Sequence, residues 1–171
     1  ASANDDDDWI RRLSELIVEA DHLGKRIVAS CFGHQLVAKT FGGEVSHNEN
    51  GWVIGNYRLE ITRTYDWMQP AASVTGLYHF NQERVTRLPA DALSFADSEL
   101  YPDFAYTLGD NILCVQGHPE QPLRAMNNFL GTMRDLPEHE HRRARERIDQ
   151  HGDPDADIWG QWMMGFFTSD R

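Results

Sequence analysis

Ile27-Val28-Ala29-Ser30-Cys31, followed at once by Phe32-Gly33-His34-Gln35, is a short apolar run that passes into a helix without an intervening loop. Apolar residues without alternation suit a strand buried on both faces, which is the mark of a parallel sheet. Gly33 through Phe41 carries Leu36, Val37 and Phe41 at helical spacing and is stopped by Gly42-Gly43. Cys31 therefore stands where a central strand meets a helix amino terminus. A side chain there is exposed above the sheet, and the helix dipole behind it favours a thiolate or a developing oxyanion. Ala29 and Gly33, two residues to either side, keep bulk out of so tight a turn. Taken locally, a buried strand-end cysteine without chemistry is the competing account.

A second run has the same build. Gly109-Asp110-Asn111 is a turn signal, Ile112-Leu113-Cys114-Val115-Gln116 reads as another buried strand, and His118-Pro119-Glu120 follows at its carboxyl end. In an extended segment, residues two apart share a side. A histidine so placed can take a thiol proton and return it to a leaving amine, while the carboxylate holds the imidazole in the useful tautomer. His-Pro-Glu alone reads more readily as a loop turn. Paired with the cysteine turn it is more specific, because open α/β sheets place their sites at the carboxyl ends of their strands. Cys114, inside its strand, reads as a small buried hydrophobe.

Outward from these runs the chain alternates in character. Asp5 to Asp8 lead into Trp9, Ile10, Leu13, Leu16, Ile17 and Ala20, an amphipathic helix whose first carboxylates suit the dipole; four consecutive aspartates do not converge on one ion. Tyr57, Leu59 and Ile61 alternate with polar residues, and Ala92 to Ala96 and Phe104 to Leu108 are further strands, expected to be antiparallel and half exposed. Beyond Pro122 the pattern is helical, with Met126, Phe129, Leu130 and Met133 on one face, then a polar stretch from Glu138 to Gln150. A last aromatic helix, Ile158 to Phe167, reads as a core or docking element. His139 and His141 diverge by about 200° on a helix, so no metal site is expected there.

Composition bounds the function. A chain of 171 residues with 40% apolar and 11% aromatic residues is enough for one domain, residues 1–171, with a substantial core. A net charge of −11 repels a phosphate backbone, so nucleic acid is not an expected partner. Two cysteines cannot build a multi-bridge scaffold. There is no apolar run of about 18 residues and no charged-then-apolar leader, so no membrane partner is expected and a cytoplasmic location is.

Cys31-Phe32-Gly33-His34-Gln35 and Gln116-Gly117-His118-Pro119-Glu120 resemble, in order and separation, the nucleophile elbow and His-x-Glu motif of the class I glutamine amidotransferase family. Asp5 to Ile10 resembles the acidic-Trp segment before the family's elbow, and Gly51-Trp52-Val53-Ile54-Gly55 the Gly-Trp-x-x-Gly segment after it. The subgroup it is most similar to comprises stand-alone proteins related to the amidotransferase part of guanosine monophosphate synthetase and to plant γ-glutamyl peptidases. The resemblance implies a flavodoxin-like α/β fold in three layers, with a mostly parallel central sheet flanked by helices and an added antiparallel β segment. It also implies that Cys31 attacks a γ-glutamyl carbonyl, that His118 is base then acid, and that Glu120 orients it. Gln35 and Asn81 would contact the γ-glutamyl substrate. Phe32 would give one oxyanion N–H, a role that the elbow geometry also requires. No metal or organic cofactor is implied, and a synthase subunit is an expected partner.

Three departures from the family pattern stand out. Ala29 replaces a glycine at the elbow, and Phe80-Asn81-Gln82-Glu83-Arg84-Val85 has Asn81 where many relatives have histidine. The family pattern also places a β-α-β-α-β stretch, with a glycine loop giving the second oxyanion N–H, ahead of the acidic segment. Those strands are expected from a further segment of the protein or a separate chain, and the chain without them is expected to be unstable or inactive. Two other readings stay open: a non-catalytic amidotransferase-like binding or regulatory module, and a cysteine hydrolase of a neighbouring elbow-bearing fold.

Overall fold

Strand β8 (Ile112–Val115) organises the molecule because both of its faces are buried. Ile112 and Cys114 point into one apolar cluster, Leu113 and Val115 into another, so the unbroken apolar run follows from period-two alternation between two cores. The computed structural model describes residues 1–49, 51–98, 100–152 and 154–169. Its six-stranded sheet has the order β1-β8-β7-β6-β3-β4, with β1 at Ile27–Ser30, β3 at Val53–Ile61, β4 at Val74–Asn81, β6 at Ala92–Asp97 and β7 at Ala105–Leu108. A separate antiparallel pair is formed by β2 (Glu44–His47) and β5 (Glu83–Arg87).

Helices cover the sheet on both faces. On one side lie α1 (Asp8–His22) and α2 (Phe32–Thr40), whose Ile10, Ile17, Leu36 and Val37 share a cluster with Ile112 and Cys114. The acidic start of α1 is tied by Arg11, which pairs with Asp6 and Asp8, so these aspartates serve the first turn of the helix. On the other side α5 (Ala156–Thr168) buries Trp159, Trp162 and Phe166 against Leu113, Val115 and Phe95, which makes it the core element its aromatics suggest. A third cluster seats α3 (Leu123–Thr132) and α4 (Glu138–His151) on Ile54 and Tyr78 through Met126, Leu130, Ala144 and Ile148.

The layered α/β expectation holds, with two refinements. Among the described strands the parallel pairing is β1 with β8, while β8-β7-β6-β3-β4 are joined antiparallel, so the antiparallel part is larger than the sequence suggested. Tight returns such as Gly109-Asp110 between β7 and β8 leave no room for a crossover helix. Strand β1 was expected to be buried on both faces, yet Ile27, Val28 and Ser30 are half-buried, because among the described residues β1 pairs on one edge. Nor are the middle strands half exposed throughout: all four positions of β7 are buried, between β6 and β8.

Gly55 explains why the Gly-Trp-x-x-Gly segment ends as it does. Its φ is +118°, and a Cβ there would lie 2.7 Å from the Cβ of Arg147 and 3.2 Å from the carbonyl oxygen of Ala144, so α4 can sit on β3 because this residue has no side chain. Gly55→Ala is expected to cost about 1–3 kcal/mol. Gly160→Ala, on α5 with no atom within 4 Å of the added methyl, should stabilise by about 0.5–1 kcal/mol. Urea melts of the two variants check this; an unchanged midpoint for Gly55→Ala would show that α4 is not seated as described.

Candidate active site

The turn at Cys31 is strained. Its φ of +48° and ψ of −104° lie outside the regions a side-chain-bearing residue favours, a cost of about 1–3 kcal/mol that surrounding structure must offset. Two hydrogen bonds hold it: the Cys31 N–H donates to the Val115 carbonyl at 2.9 Å, continuing the β1–β8 pairing, and the Cys31 carbonyl accepts from the Gln35 N–H at 3.2 Å, starting α2. The Phe32 N–H belongs to the first turn of that helix, whose donors have no intrahelical acceptor, and so is available to an oxyanion. The Ala29 methyl is accommodated because Gly33 faces it, where a Cβ would come within 3.2 Å.

Register delivers the second half of the site. Ser30 pairs with Val115, so the residues that follow each strand, Cys31 and Gln116-Gly117-His118, leave the sheet at the same edge. Gly117 packs its backbone on Leu77 and His79, where a Cβ would come within 2.8 Å of the Leu77 Cβ. His118 Nδ1 lies 2.7 Å from Glu120 Oε1. Burial alone would push the imidazole down, but hydrogen bonds and charge from Cys31 and Glu120 outweigh it and lift its pKa from 6.5 to about 9. Partial burial would raise the Glu120 carboxyl, yet the His118 hydrogen bond and charge hold it below its ordinary value. The imidazole thus has the Glu120 carboxylate as its hydrogen-bond partner and feels the charge of the nearby Cys31. Cys114 is different: burial pushes its thiol up to about 12.

The sheet curls so that its far strand, β4, returns to this edge. The Tyr78 carbonyl accepts the His118 N–H at 2.8 Å, and the Phe80 carbonyl lies 3.8 Å from the Cys31 sulfur as its thiol acceptor. Cys31, Phe32, Gln35 and Asn81 all line one cavity of about 830 Å³, and His118 and Glu120 stand outside its lining. Gln35 spends its amide hydrogens on the Glu83 carbonyl at 2.7 Å and on Gln116 Oε1 at 3.0 Å, so it acts chiefly as a brace. Asn81 donates to the Glu83 carbonyl and to the Tyr101 hydroxyl, leaving its buried Oδ1 without a partner.

Residues that the motifs did not flag complete the cavity. Trp52 and Phe80 form an aromatic wall with ring centroids 4.9 Å apart, and the carboxylates of Asp5 and Glu83 line a cavity to which no lysine or arginine contributes. His79, fully buried behind Gly117, is kept well below its ordinary pKa by burial and then by the neighbouring His118 and His34, so it is a neutral packing group. The signal was in the quoted segments, which gave these residues no role: Asp5, Trp52, Phe80 and Glu83 lie within them, and His79 directly precedes Phe80. His141 hydrogen-bonds the Met133 carbonyl at 2.9 Å, and no group of three or more His, Cys, Asp or Glu among the described residues is placed to hold a metal ion.

No family model matches the chain. It is similar to γ-glutamyl peptidase 4 of Arabidopsis thaliana, 34% identical over 121 residues that make up 67% of this chain and 48% of that protein. With γ-glutamyl peptidase 3 of the same plant it is 26% identical over 171 residues, covering 94% of this chain and 68% of the relative. The chain thus spans about half the length of the first relative and about two thirds of the second. Among solved structures, a glutamine amidotransferase from Thermotoga maritima superposes with a TM-score of 0.83 over 99% of this chain and 75% of its own, at 19% identity, which speaks to the fold. The relatives in sequence and the solved structure in fold both support assignment of the chain to the class I glutamine amidotransferase-like family.

Proposed function

We propose that the protein cleaves a γ-glutamyl amide bond, in glutamine or a γ-glutamyl peptide, through Cys31, His118 and Glu120. The observation that carries this reading is the convergence at one sheet edge of the strained Cys31, at the amino end of α2, and a His118 imidazole paired with the Glu120 carboxylate at 2.7 Å. His118 holds the proton given up by Cys31 as the sulfur attacks the γ-carbonyl carbon, and the carbonyl electron pair moves onto oxygen against the Phe32 N–H. On collapse the C–N bond breaks, His118 gives the proton to the leaving nitrogen, and a γ-glutamyl thioester remains. Water then attacks that thioester with His118 again as base, and glutamate and the free thiol are released. A His118 pKa near 9 supports the acid step, since the imidazolium persists at neutral pH until the amine takes its proton.

The carboxylates of Asp5 and Glu83, in a cavity without a lysine or arginine in its lining, suit the α-ammonium group of the glutamyl moiety. The open edge of β1 is where a further strand of the protein, or a partner subunit, would add and bring the second oxyanion donor. The ammonia or amine leaves to water, or to an acceptor that a synthase subunit presents.

Three measurements test this reading. A glutamine-analogue electrophile should label Cys31 and spare Cys114, whose thiol is buried and protonated; peptide mapping that finds Cys114 labelled first would remove the nucleophile assignment. Glu120→Gln should lower the His118 pKa toward 6.5, seen by NMR of the ring, and slow turnover by about 10²-fold or more. His118 also links stability to pH. Its folded pKa is raised, so its stabilisation is complete below about pH 6.5 and is lost as pH rises through about 9. The stability gap between the wild type and His118→Asn should therefore narrow between pH 6 and 9.5 in urea melts, and a gap that widens would contradict the ion pair.

A further inference from the structure

Beside the Cys31 cavity lies a second, smaller cleft of about 80 Å³, and Trp52 lines both. Two guanidinium groups, Arg84 and Arg143, line the cleft, and among the described residues neither has an ion-pair or hydrogen-bond partner. Arg84 is stacked over the Tyr101 ring at 5.2 Å, which fixes its position without neutralising it. Asn48 lines the same cleft, is 9% exposed, and has neither amide atom hydrogen-bonded. The carboxylate in the lining is that of Glu49, an exposed residue. Two half-buried guanidinium groups and a buried amide without a partner offer convergent donors to an anion. At about 80 Å³ the cleft has room for a group the size of a carboxylate.

The cleft is coupled to the catalytic cavity through one residue. The Tyr101 hydroxyl accepts from Asn81, which lines the Cys31 cavity, while its ring carries Arg84. Burial first of all raises the Tyr101 phenol; Asn81 and Arg84 lower it and Cys31 raises it further, so the thiol and Arg84 both act on a single group. A leaving group of one or two residues extends about 3.5–7 Å beyond the scissile bond, whereas the ammonia of glutamine has no such extension and no carboxylate.

We propose that Arg84, Arg143 and Asn48 bind the free carboxylate at the end of the leaving group of a γ-glutamyl peptide, so that the protein selects such peptides over glutamine. The inference rests on the γ-glutamyl reading of the Cys31 site. Bidentate guanidinium contacts hold the carboxylate, the Asn48 Nδ2 donates to it, and Trp52 covers the connecting peptide.

The test uses the full chain carrying Cys31→Ala, so that nothing turns over, and titrates it with a γ-glutamyl dipeptide and tripeptide, each as the free acid and as the C-terminal amide, by calorimetry. At least one acid should bind about tenfold or more tightly than its amide. Arg84→Gln and Arg143→Gln should each erase that preference, and Arg84→Lys should keep part of it, which separates loss of charge from loss of fold. Equal affinity for acid and amide, no binding of either, or a preference that survives both Gln variants overturns the proposal. Turnover of the same peptides and of glutamine by the unmodified chain is measured separately. If no γ-glutamyl compound is cleaved, the reading of Cys31 as nucleophile falls, while the acid-to-amide ratio still decides the cleft.

Discussion

The parallel pairing of β1 with β8 is the constraint on which the site depends. Its register, Ser30 opposite Val115, is continued by the Cys31 N–H to the Val115 carbonyl at 2.9 Å. A slip of one residue would turn every side chain of β8 to the other face, exchanging Ile112 and Cys114 with Leu113 and Val115 between two differently shaped cores. Packing on both sides therefore fixes where the two strands end, and the ends fix the distance between thiol and imidazole. Core packing in this molecule also sets catalytic geometry.

Strain at Cys31 is tolerable for the same reason. The residue is held by the sheet on its amino side and by the first hydrogen bond of α2 on its carboxyl side, so relaxing its φ would break one or the other. The imidazole is held at two points: its backbone N–H by Tyr78 and its ring by Glu120. Electrostatics then follow from placement. The two cysteines differ because one caps a helix beside a histidine and the other lies inside a strand with no exposure.

The curl of the sheet brings two cavities side by side. Because β4 returns to the edge where Cys31 stands, the consecutive strands β4 and β5, which belong to different sheets, carry Phe80, Asn81 and Glu83 to one cavity and Arg84 to the next. Neighbouring residues on one strand thus present opposite charges to two compartments. Carboxylates line the cavity at Cys31, and the guanidinium groups of Arg84 and Arg143 line the neighbouring cleft, with Trp52 in the lining of both.

What the sequence by itself determined is local: two apolar runs of strand length, a small-residue turn at Cys31, a His-Pro-Glu at the second strand end, amphipathic helices before and after, and the resemblance that joins them. Short-range sterics and hydrophobic alternation write these features into consecutive residues, so they are legible one window at a time. The polar stretch from Glu138 to Gln150 was harder to place. Its buried face consists of Ala144 and Ile148, and its seat against β3 depends on a missing side chain at Gly55, ninety residues earlier. Strands β2, β4 and β5 were likewise not assigned, since β4 mixes glycine, histidine and asparagine with apolar residues and gains its burial from α3, α4 and β3. Only the tertiary structure decided that Gln35 braces Glu83 and Gln116, that His79 is neutral, and that Arg84 and Arg143 meet. Each of these is a contact between distant segments, brought about by the curl of the sheet, which is settled by the packing of all three apolar clusters together.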